Sequence, residues 1–389
     1  MCQRKTISIN AAEVHGYARS WVDECLKLED HGPKCTAVRI IALLLRAAAR
    51  MCSIYAACRD LADAASDQAV RNALDAMLPE IGELQKRINR TLTTGLPKRV
   101  YRYPRVIAID MTLIPYYGQP QNDPSELVHS KQKKGTTKFH GYATACIVHD
   151  GMRYTVALTR ITRGEKSPEI TKRLVRLVKQ AGLKIKVLLV DREFCTVDTI
   201  AYLKRARVPF LMPVAIRGPV PKDPQKLAAS LRGFLTKPSG WYDYKFKGKR
   251  GERIRVCVSA KYYTERKTGK RKLKPLLFAA WGYEAHPDTT REQYRKRFGI
   301  ETSYRQGNQA RIRTSERCPK LRLLYFALAL ILRNVWVWLH FTIIADRRGE
   351  HPELQLKRLR FRRMLEWIEE VVKQQMHDGS LPATEWQPG

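Results

Sequence analysis

The chain has 389 residues, 44% of them hydrophobic, and carries 72 basic against 37 acidic side chains for a net charge of +35. The apolar content excludes a globally disordered chain, and the length suits one large domain with appendages or two to three domains. So large an excess strains a compact fold unless a polyanion neutralises it, which points to nucleic acid; a membrane surface needs only one basic patch, whereas here the excess runs from about 97 through 317 and returns at 347 to 363.

The opening MCQRKTISINAAEVHGYARSW lacks the uninterrupted apolar run of a secretory signal. Residues 1 to 95 read as a helical N-terminal domain, with CTAVRIIALLLRAAARMCSIYAACRDLADAA rich in Ala, Leu and Ile. In ASDQAVRNALDAML, Ser66 or Asp67 can cap a helix whose Val70, Leu74 and Met77 keep a spacing of three to four. Two short helices around a turn at Ala64 to Asp67 form either a helix-turn-helix, with Gln68 and Arg71 near the start of a DNA-reading helix, or a plain helical hairpin. The nine cysteines are scattered, odd in number and without a CxxC pair, so neither a zinc site nor a disulfide framework is expected and a reducing cytoplasm fits.

TTGLPKRVYRYPR (93 to 105) marks a boundary, with Gly and two prolines and a turn to strong positive charge. RVIAIDMTLIPYY reads as a buried strand ending near Asp110. FHGYATACIVHD and MRYTVALTRIT form a hairpin about Asp150-Gly151. SPEITKRLVRLVKQAGL is an amphipathic helix, with Ser167 as cap, Pro168 at its first position and Gly182 at its end. IKVLLVDREF is a buried strand ending at Asp191, TVDTIAYLKRARV a second helix and PFLMPVAI a last strand. The order predicts an α/β core, 100 to 216, built on a mixed five-stranded sheet with helices. Residues 217 to 288 read as a β-rich basic insertion. Residues 289 to 389 complete the core with a helix carrying Glu301, an apolar helix near 320 to 345, a basic amphipathic helix near 355 to 376 and a loose tail. LLYFALALILRNVWVWLHFTII (323 to 344) is long enough to span a bilayer, but Arg333, Asn334 and His340 interrupt it, and a charge at a bilayer centre costs roughly 2.5 to 3.5 kcal/mol. It is expected as a helix buried in protein, with no membrane partner.

Asp110 and Asp191 each close an apolar strand, VIAID and VLLVD. On neighbouring strands the two carboxylates converge at the sheet's carboxyl edge, where like charges repel unless a cation lies between them. Hard oxygen ligands favour Mg²⁺ or Mn²⁺. In YRKRFGIETSYRQ, helical spacing puts Tyr294, Arg297, Glu301, Tyr304, Arg305 and Asn308 on one face, so Glu301 is the expected third ligand. The basic and hydroxyl groups around it can hold phosphates. The alternative is an exposed helix with Glu301 paired to Arg297 and Arg305, each pair worth about 0.3 to 0.5 kcal/mol. Three carboxylates and two ions suit in-line phosphoryl transfer on nucleic acid. No Walker A, GxSxG or HExxH motif competes, and the nine histidines form no ligand-spaced cluster.

AIDMTLIPYYG, LLVDREF and YRKRFGIETSYR resemble DDE transposases of the IS4-like superfamily of insertion sequences, nearest its ISH3-like branch, over about 100 to 345. Tyr294, Arg297 and Glu301 meet the Tyr-x2-Arg-x3-Glu spacing. The Lys that the superfamily has seven residues after the Glu is here Asn308, leaving Arg305 or Arg311 for its phosphate contact. The resemblance implies an RNase H-like catalytic core with Asp110, Asp191 and Glu301 catalytic and metal-binding. It implies Tyr294, Arg297, Arg305 and Arg311 on DNA, to which the helix-turn-helix reading adds Arg71. It further implies cleavage of transposon-end inverted repeats, strand transfer into target DNA, a homodimer in the DNA complex and action on the nucleoid in the cytoplasm. Two other readings keep the same residues: an RNase H-like DNA nuclease without strand transfer, and a non-catalytic transposase-derived DNA-binding protein.

Overall fold

The structure, a computed structural model, describes residues 9–149, 152–216, 218–246, 251–265, 269–344 and 357–376. The Asp150-Gly151 turn and the tail after 376 lie outside them.

Six helices come first: α1 (Ala11–Leu26), α2 (Ala37–Arg50), α3 (Ile54–Arg59), α4 (Asp67–Met77), α5 (Ile81–Thr94) and α6 (Lys98–Arg102). Caps place several of their starts. The Ser66 Oγ accepts the Ala69 N–H at 3.2 Å to open α4, and Thr36 and Ser53 do the same for α2 and α3. The strands and helices of the core follow as β1 (Arg105–Pro115), β2 (Val128–Lys133), β3 (Thr136–His149), β4 (Met152–Ile161), α7 (Ser167–Gln180), β5 (Ile185–Val190), α8 (Val197–Arg205) and β6 (Phe210–Pro213). Then come α9 (Pro224–Ala228), β7 (Gly240–Lys245), β8 (Arg253–Thr264) and β9 (Arg271–Trp281). The chain closes with α10 (Pro287–Arg295), α11 (Phe298–Gly307), α12 (Pro319–Leu339) and α13 (Phe361–Met376).

The predicted succession of strand, strand, strand, helix, strand, helix, strand is present as β1, β3, β4, α7, β5, α8 and β6. Two features differ. β2 was not foreseen: it pairs with the start of β3 across a Lys134-Gly135 turn in which both residues have positive φ, 50° and 80°. Its sequence VHSKQK is too polar to announce a strand, and only its edge position tolerates it.

Among the described residues the sheet also has nine strands rather than five, in the order β2-β3-β1-β5-β6-β9-β8-β7, with β4 on β3. β1, β5 and β6 are parallel; β3 runs against them, and β4, antiparallel to β3, runs with them again. β9 pairs antiparallel with β6, Phe210 opposite Trp281, so the three strands of the insertion extend the core sheet instead of standing apart. The reason is that β6 would otherwise end the sheet with a row of open N–H and C=O groups.

Side-chain alternation assigns the faces. Ile107 and Ile109 of β1 and Leu188 and Val190 of β5 point into the larger apolar layer, which runs from Val14 of α1 through α7 and α12 to Met376 of α13. The helices of residues 1 to 95 share this core with α12 and α13. Val106 and Ala108 of β1 and Val187 and Leu189 of β5 point the other way, into a smaller layer closed by Tyr294 and Ile300 of α10 and α11.

α12, with the turn continuing it to Ile344, is long and apolar enough to cross a membrane, yet most of it is buried within the fold. Two of its polar side chains tie it to its neighbours. Asn334 fills the break in the β3–β4 ladder where the register slips between Ala145 and Cys146. Its Oδ1 accepts from Thr155 N at 3.1 Å, and its Nδ2 donates to Thr155 O at 2.7 Å and Leu92 O at 3.1 Å. Arg333 donates to Arg153 O at 2.6 Å and to Gln306 Oε1 at 3.2 Å, tying α12 to α11. Asn334→Leu keeps the branched shape but strands three buried backbone groups. At about 1 to 3 kcal/mol per group it is expected to cost at least roughly 3 kcal/mol, measured by chemical denaturation; a loss under about 1 kcal/mol would show that Asn334 only fills space.

Candidate active site

Parallel register sets two acids side by side. Ile109 of β1 lies opposite Val190 of β5, so Asp110 and Asp191 are the next residues on adjacent parallel strands. They alternate with Ala108 and Leu189 and therefore face the layer under α11. Asp191 follows the last residue of β5 and accepts its neighbour's N–H, Arg192 N to Oδ1 at 2.7 Å. Asp110 does not end its strand as its sequence suggested. β1 runs on to Pro115, and Asp110 sits mid-strand opposite Thr144 of β3, with Met111 N donating to its Oδ1 at 2.9 Å.

The third acid arrives from above. The expected single helix is two, α10 and α11, joined at Lys296 and Arg297 in near-helical backbone. Gly299 permits the close approach of α11 to the sheet: a Cβ there would meet the Arg153 side chain at 3.0 Å and Val148 at 3.5 Å. Tyr304, one turn beyond Glu301, donates to the carbonyl of Asp110 at 3.1 Å and bonds the Thr144 hydroxyl at 2.7 Å, which fixes the height of α11 over β1.

Between the three carboxylates stands Arg297. Its guanidinium lies 2.8 Å from Glu301 Oε1, 3.5 Å from Asp110 Oδ2 and 3.6 Å from Asp191 Oδ1. The residue is only 5% exposed, and its Nε and Nη1 have no hydrogen-bond partner. The rings of Tyr294 and Phe298 flank it at 5.8 and 5.5 Å, in cation–π range. Burial lowers its pKa, but Tyr294, Asp191, Asp110 and Glu301 outweigh that and raise it. Burial likewise pushes the Asp110 carboxyl up to about 6, against the pull of Arg297 and the Met111 N–H. One cation thus faces three acids, and in the most buried of them, Asp110, burial disfavours the ionised form.

The donor set, three carboxylates with hard oxygens and an unbalanced charge, fits a divalent cation in chemistry. In spacing, no group of three or more Asp, Glu, His or Cys among the described residues is gathered closely enough to hold an ion, because the guanidinium occupies the space between them.

The residues expected on DNA are distributed unevenly. Tyr294 is 7% exposed and packs on Phe278, so its ring supports Arg297 from within the core instead of meeting a strand. Arg297 points at the acids. Arg305 is exposed on the outer side of α11, and Arg311 lines a separate basic cavity. Arg71, in α4, is held by Asp67 Oδ2 at 2.5 Å and Gln68 Oε1 at 3.1 Å, with Glu316 3.9 Å away, so its charge is largely answered by acids. The burial and bridging role of Arg297 was missed in the sequence; its place between Tyr294 and Phe298, one turn before Glu301, is the signal that carried it.

A family model described as the transposase DDE domain matches residues 102–335, more than half of the chain. Comparison with curated proteins finds no match. Among solved structures, this fold is similar to that of the piggyBac transposase in a cryo-electron microscopy synaptic complex with hairpin DNA. The TM-score is 0.53 at 10% identity, over 96% of this chain and 74% of that one.

Proposed function

The chain belongs to the transposase DDE-domain family, and from that premise we propose that it is a DNA transposase of an insertion sequence, of the IS4-like superfamily and nearest its ISH3-like branch, which cleaves its element's inverted-repeat ends and joins them to target DNA. The observation that carries this reading is the convergence of Asp110, Asp191 and Glu301 on one buried guanidinium at the carboxyl edge of neighbouring parallel strands. The order β4-β3-β1-β5-β6, three antiparallel strands followed by two parallel to β1, supports an RNase H-like core.

Asp110, Asp191 and Glu301 would hold Mg²⁺ or Mn²⁺, two ions in this reading. The ions, when bound, lower the charge on a phosphodiester and make an attacking hydroxyl acidic. The protein's own part is positional. The β1–β5 register fixes two carboxylates, Tyr304 sets the depth of the third, and Tyr294 and Phe298 keep Arg297 within reach of a phosphate oxygen once the carboxylates engage a cation. The exposed Arg305 and the basic insertion would follow the DNA backbone. The enzyme would work as a homodimer on the two ends, on nucleoid DNA in the cytoplasm.

The deciding assay incubates the protein with duplexes carrying the element's ends, a plasmid target and Mg²⁺ or Mn²⁺. Nicked ends joined to plasmid are expected. Cutting without joining would mean a nuclease, and binding without cutting a non-catalytic DNA-binding protein. With net charge +35, binding should weaken steeply with salt, by roughly 10³-fold or more between about 50 and 200 mM if six or more phosphates are neutralised. A fluorescence-anisotropy titration with a flat salt response would contradict backbone binding.

A further inference from the structure

A second cavity, of 410 Å³, opens where β1 and the segment after α11 meet α12. Arg311, Arg313, Arg322, Lys134 and His140 line it, with no carboxylate among the lining residues. Four fixed positive charges in a half-enclosed hollow are uncommon without an anion to meet them.

The electrostatics agree. Burial holds the Arg311 pKa below its ordinary value, with Arg313 adding to the effect and Tyr142 opposing it. Burial also lowers that of Arg322, against Tyr142, Tyr116 and Glu316, with Arg311 adding to the lowering. Arg322 is anchored: its guanidinium donates to the carbonyls of Glu316 and Thr314 and lies 4.4 Å over the Tyr116 ring. His140 is 4% exposed, and its Nε2 is buried with no hydrogen-bond partner. Burial and the neighbouring Arg322 and Arg160 push its pKa down to about 3, so the ring is neutral at pH 7. The cavity therefore offers the exposed cations Lys134 and Arg313 at its rim, an anchored cation within and an unsatisfied polar nitrogen in its wall.

We propose that this cavity is a phosphate site, receiving a phosphate group of a nucleic-acid strand or of a free nucleotide between Arg311, Arg313 and Lys134, with His140 Nε2 as a buried partner. Ile114 lies four residues beyond Asp110 on β1, about 13 Å at 3.3 Å per residue. Asn308 lies seven beyond Glu301, about 10 Å at 1.5 Å per residue. Along a duplex axis that span corresponds to roughly three or four base-pair steps at 3.4 Å of rise each. The strand as source rests on the transposase reading; the anion site itself does not.

The test uses the full chain and the variants Arg311→Gln/Lys134→Gln and Arg311→Lys, each first shown to melt within a few degrees of the wild type. In one arm, anisotropy with a fluorescent duplex reads affinity and its salt slope. In the other, inorganic pyrophosphate is titrated and the melting temperature followed. A strand ligand predicts a loss of about tenfold in duplex affinity for the double variant, a salt slope shallower by nearly two, and near wild-type affinity for Arg311→Lys. A free-nucleotide ligand predicts that pyrophosphate raises the melting temperature of the wild type and not of the double variant, with duplex affinity unchanged. If neither arm separates the double variant from the wild type, the site is overturned. If the wild type binds no duplex at all, the transposase reading falls and the pyrophosphate arm still decides the anion site.

Discussion

Asp110→Asn should abolish DNA cleavage and, at about pH 7.5, raise the melting temperature of the metal-free protein. The first effect is the loss of one of three acids that act as a unit, and a drop of at least roughly 10³-fold in rate is expected; Asp191→Asn and Glu301→Gln should match it, with duplex binding retained. The second follows from linkage. The Asp110 carboxyl is raised from 3.8 to about 6, so between those values the folded protein holds a proton that the unfolded chain has released. Stability contributed by this group is therefore lost as pH rises through about 6, and above that the buried charge costs at most about 3 kcal/mol. Asn carries no such charge and can still accept the Met111 N–H, while Arg297 keeps Asp191 and Glu301. The gap in melting temperature between variant and wild type should then narrow as pH falls from about 7.5 toward 4. A gap that widens on acidification, or a variant that still cleaves end DNA, would refute this account.

Arg297→Gln should have the opposite effect on stability. It removes the only counter-ion within 4 Å that the described residues give Asp110, Asp191 and Glu301, leaving three acids facing one another beneath α11. Breaking a buried pair from one side typically costs about 3 to 5 kcal/mol. Lowering the pH through about 6 should recover part of that loss, since Asp110 can then take up a proton. Mn²⁺ or Mg²⁺ should recover it at neutral pH, by about 2.7 kcal/mol at a concentration one hundred times the dissociation constant. Thermal melts with and without each cation measure both. If the variant melts like the wild type, or if added cation moves the two proteins equally, the guanidinium is not the group that balances these carboxylates.

The two strand-associated acids were legible because an apolar strand announces itself by composition, and a carboxylate at its end stands out: VIAID and VLLVD could be read without any tertiary knowledge. Parallel register then made Asp110 and Asp191 neighbours. The extent of β1 was not legible, since MTLIP continues the strand on a half-buried surface where no pattern breaks. Nor was the joining of β9 to β6, a pairing between segments far apart in sequence whose only local cue is that both are apolar. Glu301 was legible by helical spacing. The burial of Tyr294 and Arg297 was not, because a basic segment reads as solvated until the packing of α10 and α11 on the smaller apolar layer is known.

The junction of β6 with β9 has a consequence for how such a chain can change over time. The backbone leaves the core sheet at Pro213 and returns at Phe278, directly opposite, so everything between is topologically one long hairpin excursion whose two feet are a single strand spacing apart, about 4.8 Å. Closing a longer or shorter excursion over the same feet alters the chain entropy only logarithmically, about 0.6 kcal/mol per doubling. The loops of the excursion can therefore change length at little cost, but its strands cannot be discarded. Trp241 of β7 donates to Ala285 O at 2.7 Å just before α10, and Cys257 of β8 packs in the layer with Tyr294 and Ile300, so the helix that carries Glu301 rests partly on the excursion itself.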